Sequence, residues 1–198
     1  MKLGFLFPGQ GSQSVGMVGD VAAAHAVIEK TFHEAGEVLD LPLWQLACEG
    51  PEEKLNQTEI TQPILLTASV AIWRAWLAAE APLPAIMAGH SLGEYSALVC
   101  AGAMSFEQGV ALVRQRGALM QQAVPAGEGA MAAILGLEDD QIDACCGQVE
   151  GVVSPANFNA PGQVVIAGST AAVEAAVSLC SEAGARRAVM LKVSGPFH

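Results

Sequence analysis

Basic residues are scarce in this 198-residue sequence: nine Lys and Arg stand against twenty Asp and Glu, a formal net charge of −11. So negative a chain is a poor match for nucleic acid or an anionic membrane surface, and both are excluded as its main partner. Charge of either sign is sparse, at 15% of residues against 52% hydrophobic. With mean hydropathy +0.40 the chain buries enough apolar surface to offset the entropy of ordering, which excludes disorder. Long apolar runs are missing too: the most apolar stretch, 63–77, is short for a bilayer and carries Arg74. No signal-peptide pattern is expected, because Lys2 precedes only a few apolar residues before Pro8-Gly9. Cysteine is uncommon, and Cys48, Cys100, Cys145, Cys146 and Cys180 form an odd set without a C-x-x-C pair. Adjacent Cys145 and Cys146 are poorly placed to share a metal or to bridge each other. The expectation is a soluble cytoplasmic protein with reduced thiols and no metal site.

What is present is an alternation of short apolar runs and helical patterns. Residues 2–7 read as a buried strand ended by Pro8-Gly9, and helical patterning follows from about Asp20 to Leu39. Pro51-Glu52-Glu53 reads as a first helical turn, and 64–79 as a helix apolar nearly all round. A buried parallel strand is expected at 85–88, followed by helices over 93–101 and about 106–123. This order predicts an α/β fold with a parallel sheet. Pro125-Ala126-Gly127 marks a change. Strands over 130–135, 151–155, 163–167 and 187–193, with helices over 138–148 and 170–183, give the order βαββαβ. That is the ferredoxin-like pattern. We therefore expect a core of residues 1–124, to which 194–198 return, and a small subdomain of residues 125–193.

Gly89-His90-Ser91-Leu92-Gly93 matches G-x-S-x-G, with a strand running into it and a helix leaving it. A turn this tight strains the backbone at the serine and sets Ser91 at a helix N-terminus, where the dipole favours a developing oxyanion. The alternative is an ordinary βα turn with a serine cap. Of four histidines, His25 and His33 fall on a solvated segment, and His90 is poorly aimed at its own neighbour. His198 follows the serine in the order known for hydrolases and is the expected base; an idle loop histidine is the alternative. No acid stands out as a third member, so a dyad fits better than a triad. Arg116 shares a helical stripe with Gly109, Val113, Met120 and Ala123. An arginine on an apolar stripe needs an anion, either a buried Glu or a substrate carboxylate gripped by its fork. Gly9-Gln10-Gly11-Ser12-Gln13 departs from G-x-G-x-x-G and has no phosphate-binding lysine after it. Lying after a strand at the same sheet edge, it offers the Gln10 N–H as an oxyanion donor beside that of Leu92.

Phe7-Pro8-Gly9-Gln10-Gly11-Ser12-Gln13, Gly89-His90-Ser91-Leu92-Gly93-Glu94, Gln115-Arg116-Gly117 and Asn157-Phe158-Asn159-Ala160-Pro161-Gly162-Gln163 together resemble the bacterial malonyl-CoA:acyl carrier protein transacylases. The resemblance runs over the whole chain. It implies an α/β-hydrolase-like core with an inserted ferredoxin-like subdomain. It also implies transfer of malonyl from coenzyme A to the phosphopantetheine thiol of acyl carrier protein in fatty acid biosynthesis, with the thioester as substrate and no cofactor. By the same resemblance Ser91 is the acylated nucleophile, His198 the base, Arg116 the carboxylate clamp, and the Gln10 and Leu92 amides the oxyanion hole. Arg186 and Arg187 match a basic patch for the acidic carrier, and Asn157 and Asn159 line the thioester entrance. The alternatives for these are a solvated strand edge and ordinary turn asparagines. Family members continue for roughly a third of their length past the base histidine, so the expectation is a truncated chain. Rival readings are a serine esterase or thioesterase, and a non-catalytic carrier-protein-binding fragment.

Overall fold

The computed structural model describes residues 2–125, 127–191 and 195–198. The chain divides into two units, Met1–Leu119 and Met120–His198.

In the first unit β1 (Gly4–Phe7) leads through a glycine-rich loop to α1 (Gly19–Ala24) and α2 (Val27–Leu39). The single helix expected over 20–39 is thus two. His25 turns extended, at φ −137° and ψ 95°, and its N–H bonds back to Val21 and Ala22. Helices α3 (Leu43–Glu49) and α4 (Glu52–Leu55) follow, then α5 (Thr58–Ala78). The last begins six residues before the expected start at Ile64 and carries Pro63 inside it. Proline removes one rung of the helix, here the donor to the carbonyl of Glu59. Arg114 Nη1 fills that place at 2.9 Å, which is why the helix runs through.

Strand β2 (Ile86–Gly89) pairs parallel with β1, Gly4 opposite Ile86 and Phe7 opposite Gly89. Phe5 of β1 meets Trp73 and Trp76 of α5 edge-on, with ring centroids 5.5 and 5.1 Å away. The strand expected at 85–88 is present one residue later but is not buried. Leu6 is 84% and Ile86 68% exposed, because the two-stranded ladder is not covered on every side among the described residues. Then come α6 (Leu92–Cys100) and α7 (Phe106–Gln122). Ile28, Phe32, Leu43, Leu55, Ile64, Leu66, Leu92 and Val110, drawn from six of these helices, make the core. The helix stripe expected to reach Ala123 stops at Gln122, as Pro125 disfavours helical backbone just before it.

The second unit runs β3 (Gly129–Leu135), α8 (Asp139–Gly147), β4 (Val153–Ala160), β5 (Gln163–Ser169), α9 (Thr170–Glu182) and β6 (Arg187–Met190). Its four strands are antiparallel, in the order β4-β5-β3-β6. Alternate residues Ala132, Ile134, Val164 and Ile166 face the helices and pack on Ile142, Cys145, Cys146, Val173, Ala176 and Cys180. Glu138 and Gln141 form a capping box at the start of α8. The strand expected to end at Pro155 continues to Ala160. It tolerates proline because it lies at a sheet edge, and two register shifts, at Pro155/Asn157 and Phe158/Ala160, absorb the irregularity. Asn157 and Asn159 are therefore strand residues, not turn residues. The last expected strand runs to 193, and residues 192–194 lie outside the described residues. No helix among the described residues is long and apolar enough to cross a membrane.

Candidate active site

Gly89 ends β2, and the chain turns through His90 and Ser91 directly into α6. Ser91 holds φ 53° and ψ −113°, a conformation that side chains disfavour and surrounding packing must impose. The packing is tight enough to do so. A Cβ on Gly89 would lie 2.0 Å from the carbonyl carbon of Gly93, and one on Gly93 would lie 2.2 Å from the carbonyl oxygen of Phe7. Only glycine fits at either flank, so β1, β2 and α6 meet at backbone contact. The Gly93 and Glu94 N–H groups bond to His90 and Ser91 carbonyls at 2.9 and 3.2 Å. Leu92, one residue after Ser91, is the first residue of the helix, where an N–H has no partner within the helix itself.

Arg116 projects from α7 onto this turn. Its Nη2 donates to Ser91 Oγ at 3.1 Å and its Nη1 to Gln62 Oε1 at 2.8 Å. The guanidinium carbon lies 5.5 Å from the Tyr95 ring centroid. Ion pairs among the described residues join His33 to Glu29, Arg74 to Glu34 and Arg114 to Glu59; none involves Arg116. The buried-glutamate alternative is thereby removed, and a half-buried cation sits against neutral oxygens beside the serine. Such a group is held in place yet keeps its charge for an anion.

Gln10 lies on the loop after β1, and its Nε2 donates to Thr58 Oγ1 at 3.2 Å. A Cβ on Gly9 would come within 3.2 Å of the His90 carbonyl oxygen, so the loop runs beside the elbow. Ser91, Leu92, Arg116 and the Gln10 loop are thus brought together in the first unit. His25, His33 and His90 are exposed. His198, Asn157, Asn159, Arg186 and Arg187 belong to the second unit. There His198 is exposed and lines a cavity of about 410 Å³ with Glu128, Ser154, Ser169 and Pro196. Asn157 is half-buried on β4, and Asn159, Arg186 and Arg187 are exposed. Sequence reasoning missed Gln62, Tyr95 and Thr58. The one available signal was an amide side chain at 62 within an otherwise apolar helix, which demands a polar partner.

The acyl transferase domain profile matches residues 4–198. The malonyl CoA-acyl carrier protein transacylase of Salmonella typhimurium is 57% identical over 199 residues, covering all of this chain and 64% of that protein. The protein of the same name from Bacillus subtilis is 49% identical over 200 residues and is 63% covered. A crystal structure of an acyl carrier protein S-malonyltransferase from Vibrio cholerae superimposes with TM-score 0.94 at 60% identity, covering 99% of this chain and 65% of that one. A type II PKS acyl-carrier protein in complex with its malonyl-transacylase gives TM-score 0.97 at 56% identity, covering 99% and 64%. The chain spans about 64% of the length of the curated relatives it matches. Its mixed α/β fold, with one parallel and one antiparallel sheet, matches those structures. The profile match takes in nearly the whole sequence, and the chain belongs to the acyl transferase domain family.

Proposed function

We propose that this chain transfers a malonyl group from coenzyme A to the phosphopantetheine thiol of acyl carrier protein, in the cytoplasm, for fatty acid biosynthesis. The observation that carries the reading is Arg116, bonded to Ser91 Oγ while carrying no carboxylate partner among the described residues. A nucleophile with a cation at its side suits an acyl group that ends in a carboxylate. The names of the relatives point to the same substrate and acceptor.

In this reading His198 takes the Ser91 proton as Oγ bonds to the thioester carbon. The oxyanion is held by the Gln10 and Leu92 amides. The carbon–sulfur bond then breaks, and the departing thiolate takes the proton from His198. The carrier thiol gives a proton back to His198, attacks the malonyl-serine, and the ester bond to Oγ breaks as Oγ is reprotonated. Arg116 grips the malonyl carboxylate through both steps, and no cofactor is called for. Arg186 and Arg187 meet the acidic carrier, and Asn157 and Asn159 line the thioester path. We read residues 1–124, with 194–198, as an α/β-hydrolase-like core, and residues 125–193 as a ferredoxin-like subdomain. The βαββαβ order and the strand order β4-β5-β3-β6 support the second assignment.

Intact mass after mixing with malonyl-CoA tests the proposal. A malonyl adduct absent from Ser91→Ala supports it; a folded protein that takes no adduct overturns it. Rapid turnover of simple esters with no preference for a carboxylated acyl chain would instead mark a serine esterase.

A further inference from the structure

The Gly9-Gln10-Gly11-Ser12-Gln13 loop contains two polar side chains that the reaction does not use, and both are spent on the loop's own backbone. Ser12 Oγ donates to the carbonyl oxygen of Gly9 at 2.7 Å. Gln13 Oε1 accepts the N–H of Gly11 at 2.8 Å, while its Nε2 donates to Asn56 Oδ1 at 2.7 Å. These two bonds fall on the two peptide planes that flank Gln10. In a trans peptide the C=O and the following N–H point in opposite directions. A bond that holds the Gly9 carbonyl toward Ser12 therefore holds the Gln10 N–H away from it. The bond to the Gly11 N–H fixes the next plane in the same manner.

Without such ties the loop has freedom to turn. Gly11 stands at φ 104°, and an added Cβ there would meet nothing within 4 Å, so no side-chain packing at that position restrains the backbone. Glycine on both sides of Gln10 makes rotation of either plane easy. A rotated 9–10 plane would present a carbonyl oxygen where the amide is wanted, replacing attraction to an oxyanion by repulsion.

We propose that Ser12 and Gln13 are positioning residues that lock the peptides on either side of Gln10, keeping its N–H available as an oxyanion donor. This rests on the malonyl-transfer reading, in which the Gln10 amide serves the oxyanion. The Gln13 bond to Asn56, with the Gln10 bond to Thr58, ties the same loop to the segment that opens α5. That helix also carries Gln62, which holds Arg116. The oxyanion donor and the carboxylate clamp are thus referred to one helix end.

A donor that acts on the tetrahedral state alone changes rate and leaves substrate binding intact. The test is single-turnover acylation of the full chain by malonyl-CoA, followed as malonyl-serine. Ser12→Ala is expected to lower the maximal acylation rate by about 10–100-fold, with the half-saturating malonyl-CoA concentration within about 2-fold and thermal unfolding unchanged. Ser12→Thr keeps the hydroxyl and is expected to restore the rate to within about 3-fold. Gln13→Ala, which frees the other plane, is expected to behave as Ser12→Ala does. Unchanged acylation in both alanine variants overturns the lock. So does a loss shared equally between rate, half-saturation and folding, or a failure of Ser12→Thr to rescue. A wild-type chain that forms no adduct overturns the transfer reading itself, and is told apart because every variant is then silent alike.

Discussion

Arg116 Nη2 reaches Ser91 Oγ at 3.1 Å across the gap between α7 and the β2–α6 turn. One side chain thereby touches the proposed nucleophile and offers the positive charge that the proposed diacid acyl group needs. In malonyl-serine the carboxylate stands only two carbons from the ester oxygen, so an arginine in contact with that oxygen has the reach to hold it. A neutral acetyl group gives the fork nothing to bind.

Arg116→Ala should therefore lower kcat/KM for malonyl-CoA by the equivalent of about 2–4 kcal/mol of transition-state stabilisation, and spare transfer of acetyl, by analogy with sites that lose a charged partner. The check is the ratio of the two kcat/KM values. Equal losses for both donors would show that the arginine supports the serine without reading the carboxylate.

Gln62 gives a sharper test, because it holds Arg116 through a neutral carbonyl. Gln62→Glu puts a carboxylate in that place and neutralises the guanidinium. The variant is expected to fold as stably as the parent, since the pair is close and hydrogen-bonded, yet to lose most malonyl preference. Gln62→Leu leaves an arginine donor without its acceptor and should cost about 1–3 kcal/mol of stability. Urea midpoints and donor selectivity, measured on both, separate the two effects. A Glu variant that still prefers malonyl would remove the charge argument.

Much of this was legible in sequence where the signal was local. The turn at Ser91 could be read because strand, glycines and helix adjoin in sequence, and the order of elements after Pro125 for the same reason. Residues whose state depends on distant partners were misread. The helix expected from Ile64 runs through Pro63 from Thr58, since the compensating donor, Arg114, comes from another helix. Asn157 and Asn159 carry turn chemistry but sit in a strand whose edge position permits Pro155 and two register shifts. Arg116 was placed on the right face of its helix. Whether it met a glutamate or the neutral oxygens of Ser91 and Gln62 lay in tertiary packing alone.

Burial of thiols predicts a pH dependence of stability. Cys100 is pushed up to about 12, chiefly by burial, against the opposing pull of Arg74. Cys146 is pushed up to about 11 by burial, then by Asp143 and Cys145. Cys180 is raised by burial and by neighbouring Cys145. Unfolded, such thiols ionise near 9.0, their ordinary value. Above that pH the unfolded chain gives up protons that the folded chain retains, so stability falls as pH rises toward the folded values. Below it the contribution is complete and constant. Urea midpoints should fall between about pH 9 and pH 11, and Cys100→Ala with Cys146→Ala should flatten the fall. An unchanged slope in the double variant would locate the effect in other groups.

Backbone strain at Ser91 bears directly on the proposed nucleophile. At φ 53° and ψ −113° a side chain costs about 1–3 kcal/mol, and glycine alone escapes that cost. Ser91→Ala and Ser91→Gly both remove the hydroxyl and its bond from Arg116, so they differ only in the Cβ. Glycine also loses more entropy on folding, about 0.5–1 kcal/mol relative to alanine. The difference leaves Ser91→Gly more stable than Ser91→Ala by about 1 kcal/mol, while neither takes a malonyl adduct. Elsewhere in a fold the same comparison normally runs the other way, because glycine there brings entropy loss without relief. Urea denaturation of the two variants decides it: an alanine variant as stable as the glycine one would mean that the elbow is not strained, and that the serine stands there for its hydroxyl without any stability sacrificed to hold it.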